Sequence, residues 1–164
     1  MKDREKRLSG KRILIVDDEP DILGSLEDLL DMCEIDRAAD YEAAVDLLDR
    51  NSYDAAILDI MGVRGYDLLE VTSGKGIPTI MLTAHALSSG DFVKSVETGA
   101  QAYVPKDRIA EIATFLSDVL DAAEGRSGKK QRWFDRLEAF FEKKFGPDWR
   151  EKEDPEFWKK YFYM

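Results

Sequence analysis

Two adjacent carboxylates, Asp17 and Asp18, close the apolar run ILIV, and a third, Asp59, closes the run AAIL. A charge at the end of a buried segment is costly unless something compensates it. Thr83 ends the run IMLT, and Lys106 follows AYVP. Brought together, three carboxylates would repel one another unless a cation intervened. An oxygen-only set with room for water suits magnesium, which takes few protein ligands and keeps several waters. An aspartate held there can act as a nucleophile toward a phosphoryl group, with metal and lysine neutralising the phosphoryl oxygens. Singly, each residue has a plainer reading: Asp59 as a helix cap, Asp17 and Asp18 as caps ahead of Pro20, Thr83 as a β-branched strand residue, Lys106 as a solvated lysine. Their joint placement favours chemistry.

That placement depends on the elements between them. Short apolar runs at 12–17, 34–39, 54–59, 77–82 and 100–104 alternate with amphipathic segments, the pattern of repeated β-α units around a parallel sheet. The second run is the most polar and suits an edge strand. Pro20 opens the first helix, with Ile22, Leu26, Leu29, Leu30 and Cys33 at helical spacing; Asp40 is the expected cap of the second, and Gly99 the expected end of the fourth. Ile109, Ile112, Ala113, Leu116, Val119 and Leu120 make one stripe on the fifth. In an open parallel α/β sheet, function gathers outside the carboxyl ends of the strands, so Asp17, Asp18, Asp59, Thr83 and Lys106 are expected on one rim.

Over residues 12–124 the sequence resembles the receiver domain of bacterial two-component response regulators. The resemblance is carried by ILIVDDEP, AAILDI, IMLTA and AYVPK, in that order. It implies a flavodoxin-like (βα)5 doubly wound parallel sheet of strand order 2-1-3-4-5. It implies Asp59 as phospho-acceptor and Mg2+ held by Asp18, Asp59 and the backbone carbonyl of Met61, with Asp17 holding a metal-bound water. Thr83 would hydrogen-bond the phosphoryl group, Tyr103 would swing inward behind it, and Lys106 would contact the phosphate. Met61 and His85 would flank it. The donor would be a histidine kinase or phosphotransfer protein. The output would be a changed contact with a downstream protein, or a homodimer, on the face made by the fourth helix, fifth strand and fifth helix. Such a domain assists its own phosphorylation and dephosphorylation without being an enzyme in the usual sense. Two features depart from the usual pattern: the loop IMGVRGYD lacks a proline, and in Val-Pro-Lys the proline precedes the lysine. Two rivals stand beside this reading. One is a phosphorylation-independent scaffold; the other is an aspartate-nucleophile phosphatase, which needs a second acid where Met61 stands.

The 164-residue chain has a formal charge of −10 that is unevenly spread. Residues 1–12 carry +4 (6 basic, 2 acidic), 13–125 carry −17 (7 and 24) and 126–164 carry +3 (11 and 8). The acidic block repels phosphate backbones, so nucleic acid is not an expected partner, and its carboxylates suit a cation site. No apolar run is long enough for a membrane span and the charged N-terminus is no secretory signal, so a cytoplasmic location is expected. Lone Cys33 reads as core filler. Residues 1–11 read as a basic tail, 125–131 as a linker, and 132–164 as an aromatic-rich helical extension. Trp133, Phe134, Leu137, Phe140, Phe141 and Phe145 run at helical spacing to Gly146-Pro147, and Asp154-Pro155 starts a further helix. These aromatic stripes must be covered, either by the receiver or by another protein.

Overall fold

All five apolar runs become parallel strands in the order β2-β1-β3-β4-β5: β1 (Arg12–Val16), β2 (Glu34–Ala38), β3 (Ala55–Asp59), β4 (Thr79–Thr83) and β5 (Ala102–Pro105). The computed structural model describes residues 2–84, 88–125 and 131–162. β3 and β4 are buried along their whole length, as strands covered on both faces must be. The edge strand β2 is partly exposed and carries Glu34, Asp36 and Arg37, charges that discourage pairing with another chain. β4 starts two residues later than the apolar run, because the Ile77 amide still donates to the Thr72 carbonyl at the end of the preceding helix.

The helices are α1 (Lys2–Leu8), α2 (Pro20–Leu29), α3 (Tyr41–Arg50), α4 (Gly65–Gly74), α5 (Ser89–Thr98), α6 (Ile112–Ala123), α7 (Arg132–Phe145) and α8 (Pro155–Tyr161), with 3-10 turns at Lys106–Glu111 and Trp149–Lys152. Pro20 stands in the first turn of α2, Asp40 Oδ1 accepts from the Ala43 amide at 2.8 Å to cap α3, and Gly99 ends α5 with a left-handed φ of 118°. α2 and α6 pack on one face of the sheet, while α3, α4 and α5 follow one another on the other. Ile109 falls in the 3-10 turn rather than in α6, whose regular stripe begins at Ile112.

The segment expected as a basic tail instead holds α1, which lies along α6. Leu8 is fully buried, Arg4 donates to the Thr114 hydroxyl at 2.7 Å, and Arg7 pairs with Asp121 at 2.7 Å and with Glu124. Periodicity is weak in seven residues, so the burial of Leu8 and the bonds of Arg4 and Arg7 to α6, not a sequence pattern, distinguish this helix from a solvated arm. The half-buried Cys33 thiol donates to the Leu8 carbonyl at 3.4 Å, consistent with a packing role. Of the expected linker, residues 126–130 lie outside the described residues.

The aromatic extension packs back onto the receiver, over α5, β5 and α6. α7 lies against α6 and the edge strand β5, and Arg136 grips the buried Asp118 of α6 with two bonds, at 2.6 and 3.1 Å. Gln131 Nε2 donates to the Tyr161 carbonyl at 2.7 Å, which ties the start of α7 to the end of α8. Phe92 of α5 is the centre of this contact, with ring centroids of Tyr103, Phe141 and Trp149 at 5.5, 5.3 and 5.3 Å. Removing that ring leaves a cavity facing several aromatic partners. Phe92→Ala is therefore expected to lower stability by about 3 to 5 kcal/mol, read as a lower urea midpoint, with Phe92→Leu recovering most of the loss.

Candidate functional site

The rim at the carboxyl ends of β1, β3, β4 and β5 collects the expected residues. Register places Asp59 opposite Leu82, so Thr83 extends one residue further along the neighbouring strand, and Thr83 in turn pairs with Pro105, immediately before Lys106. Asp17 is fully buried and Asp59 is 4% exposed. Lys106 Nζ stands 2.8 Å from Asp17 Oδ2, 3.0 Å from Asp59 Oδ1 and 3.1 Å from Glu19 Oε1. One ammonium thus joins the carboxylate at the end of β3 to two from the segment that follows β1. The unusual order of proline and lysine does not displace it: Pro105 completes β5 and Lys106 still points at the acids.

The electrostatics follow from one cation facing several acids. Burial pushes the Asp59 carboxyl up to about 6, with repulsion from Asp17 and Asp18 adding to it and Lys106 opposing. Burial likewise raises Asp17, against its bond to Lys106 and the Glu19 amide, which donates to Asp17 Oδ1 at 2.9 Å. For Lys106, burial alone would favour the neutral amine, but its bonds to Asp17, Asp59 and Glu19 outweigh that and hold its pKa well above the usual lysine range. The acids remain under-compensated.

Such a cluster suits a hard divalent cation. Carboxylate oxygens of Asp17, Asp18 and Glu19 all lie within 4.8 Å of one another, and the buried Asp17 Oδ2 faces Lys106 Nζ alone, at 2.8 Å, so acceptor capacity remains among these oxygens. Met61 sits in the turn after β3 with its side chain 74% exposed, and its neighbour Gly62 lies against Asp18, which brings this turn over the acidic pair. Thr83 is buried, its hydroxyl donating to the Ala84 carbonyl at 3.3 Å. Tyr103 is fully buried beside Thr83, and its hydroxyl donates to the Ser88 carbonyl at 3.4 Å. His85 lies outside the described residues.

The family model for the response regulator receiver domain matches residues 13–116. The chain belongs to the response regulator receiver family. Among curated proteins this receiver is 40% identical over 100 residues to the transcriptional regulatory protein CpxR of Escherichia coli, covering 58% of this chain and 42% of that protein. It is 34% identical over 106 residues to the transcriptional regulatory protein TcrA of Mycobacterium tuberculosis, covering 61% and 42%. The chain thus spans about two fifths of the length of these relatives. Among solved structures it resembles a CheY-like receiver domain protein of Methanospirillum hungatei, with TM-score 0.65 and 29% identity over 73% of this chain and all of that one. A receiver domain protein of Clostridium thermocellum gives TM-score 0.60 and 26% identity, over 71% and 95%. The flavodoxin-like five-stranded order expected from the sequence is therefore the order found. The expectation that nucleic acid is no partner rests on charge alone and gains nothing from relatives named as transcriptional regulators. Among the described residues, no helix is long and apolar enough to cross a membrane.

Three residues of the receiver site escape motif reading. Glu19 shares Lys106 with the buried acids; its position directly after the acidic pair was the available signal. Gly62 has φ 84°, and a Cβ there would stand 2.5 Å from Asp18 Oδ2. Gly65 opens α4 so tightly that a Cβ would lie 2.2 Å from the Asp59 carbonyl oxygen. Both glycines stand in the proline-free loop, and they hold it close to the acids. Gly62→Ala is expected to displace Asp18, weakening magnesium binding by about tenfold or more, and to strain the backbone by about 1 to 2 kcal/mol. Calorimetric titration with Mg2+ measures the first effect and thermal melting the second.

Proposed function

We propose that this receiver accepts a phosphoryl group on Asp59, in a Mg2+-dependent transfer from a histidine kinase or phosphotransfer protein, and so alters a protein contact. The observation that carries this reading is Lys106 Nζ at 2.8 and 3.0 Å from Asp17 and Asp59, which draws two buried acids, one following β1 and one ending β3, into one site. Asp17, Asp18, Asp59 and the Met61 carbonyl are the groups that would hold the metal, which when bound supplies positive charge to the acids and the phosphoryl oxygens.

An Asp59 carboxylate oxygen forms the new bond to phosphorus as the phosphorus–nitrogen bond of the donor phosphohistidine breaks, and the electron pair leaves with the imidazole. Lys106 neutralises charge on the phosphoryl oxygens. The Thr83 hydroxyl, at the neighbouring strand end, donates to one of them, and Tyr103 fills the space behind it. Water later cleaves the acyl phosphate and restores the carboxylate. Met61 is no acid, so the general acid of an aspartate-nucleophile phosphatase is missing from its place, and the site suits acceptance rather than turnover on phosphomonoesters.

Incubating the protein with acetyl phosphate, with and without Mg2+, tests this by intact mass. One added phosphoryl group that requires the metal is expected. No adduct under either condition, or the same adduct in chelator, contradicts it.

A further inference from the structure

The extension lies directly on the ring expected to move when Asp59 is phosphorylated. Tyr103 is fully buried, with Thr83 beside its hydroxyl, Phe92 at 5.5 Å and Phe141 of α7 at 6.1 Å. Phe141 also packs on Phe92 at 5.3 Å, and Phe145 stacks on Phe141 at 5.5 Å. An outward Tyr103 would have to displace these rings, because close-packed interiors leave no spare room. Arg136, bonded twice to Asp118, clamps the same helix to α6. The chain's own α7 and α8 therefore occupy the α5, β5 and α6 face and back Tyr103 in its position toward Thr83.

We propose that the extension is a built-in partner of the phosphorylation site: docked on this face, it holds Tyr103 against Thr83 and thereby favours the arrangement that binds the phosphoryl group. The inference rests on Asp59 as acceptor. Coupling of this kind is reciprocal, so a phosphoryl group on Asp59 tightens the docking of α7 by the same factor that docking tightens the site. While the extension is docked, a second copy is also excluded from this face.

The test is hydrogen exchange on the full chain in Mg2+, with and without beryllofluoride as phosphoryl mimic, beside calorimetric titration of beryllofluoride. Exchange in α7 should slow when the mimic binds. Asp118→Asn weakens the clamp without leaving a buried charge, and it should speed exchange in α7 and weaken beryllofluoride binding about fivefold. Beryllofluoride that binds wild type while α7 exchange stays the same or quickens overturns the coupling and leaves the acceptor assignment standing. So does an Asp118→Asn protein with a loosened α7 and unchanged beryllofluoride affinity. Wild type that binds no beryllofluoride overturns the acceptor reading itself. The exchange comparison in wild type needs no variant to fold.

Discussion

Asp59→Asn should abolish phosphoryl acceptance and, in the absence of metal, make the protein more stable above pH 6. The first effect follows from the loss of the nucleophilic oxygen pair. The second follows from the carboxyl being held at about 6 instead of its ordinary 3.8 by burial and by Asp17 and Asp18. The folded state binds that proton more tightly than the unfolded chain does. Stability therefore falls as pH rises from about 4 to about 6, and the penalty, about 3 kcal/mol, is complete above that range. Asparagine carries no such penalty. Thermal melting in chelator should show the variant roughly 6 to 12 °C above wild type at pH 8 and level with it near pH 4. Added Mg2+ should narrow the gap by about half, since at ten times its dissociation constant it stabilises wild type by about 1.4 kcal/mol. A variant no more stable than wild type at pH 8 in chelator would mean that burial and the neighbouring acids do not hold the Asp59 carboxyl above its ordinary range.

Lys106→Met should have the opposite effect on stability. Methionine keeps most of the lysine stem, so the variant reports on the ammonium, which faces Asp17 and Asp59 at 2.8 and 3.0 Å. Its removal leaves two buried carboxylates without their cation, a loss of about 3 to 5 kcal/mol at pH 8 without metal. The deficit should shrink as pH falls through about 6, where Asp59 takes up a proton and no longer needs the lysine. Phosphorylation by acetyl phosphate should slow by about 10² or more, the usual effect of deleting one donor to a developing anionic oxygen. Equal melting temperatures of variant and wild type at pH 8 would show that Lys106 is a solvated rim residue.

The site was legible because its parts end apolar runs. ILIV, AAIL and IMLT mark buried strands by composition alone, and parallel topology then carries Asp17, Asp59 and Thr83 to one rim. Helix caps were legible where a residue has one local job, as with Asp40 and Gly99. The start of β4 slipped because Ile77, though apolar, is bonded into the end of α4. Gly62 and Gly65 were missed since their role is to bring backbone close to Asp18 and Asp59, a tertiary fact that a glycine in a loop does not announce. The aromatic stripes of residues 132–162 showed that a cover was needed and left open what it was. The burial of Phe92 and Tyr103 under Phe141 identifies it as the receiver's own α5, β5 and α6 face.

Locating the phosphoryl group tests the central claim most directly. Protein labelled by acetyl phosphate in Mg2+ is reduced with borohydride, which traps an acyl phosphate at its own residue, and the peptides are sequenced by mass spectrometry. Modification at Asp59 alone is the expected result. Modification at Asp17, Asp18 or another residue while Asp59 stays intact would contradict the account.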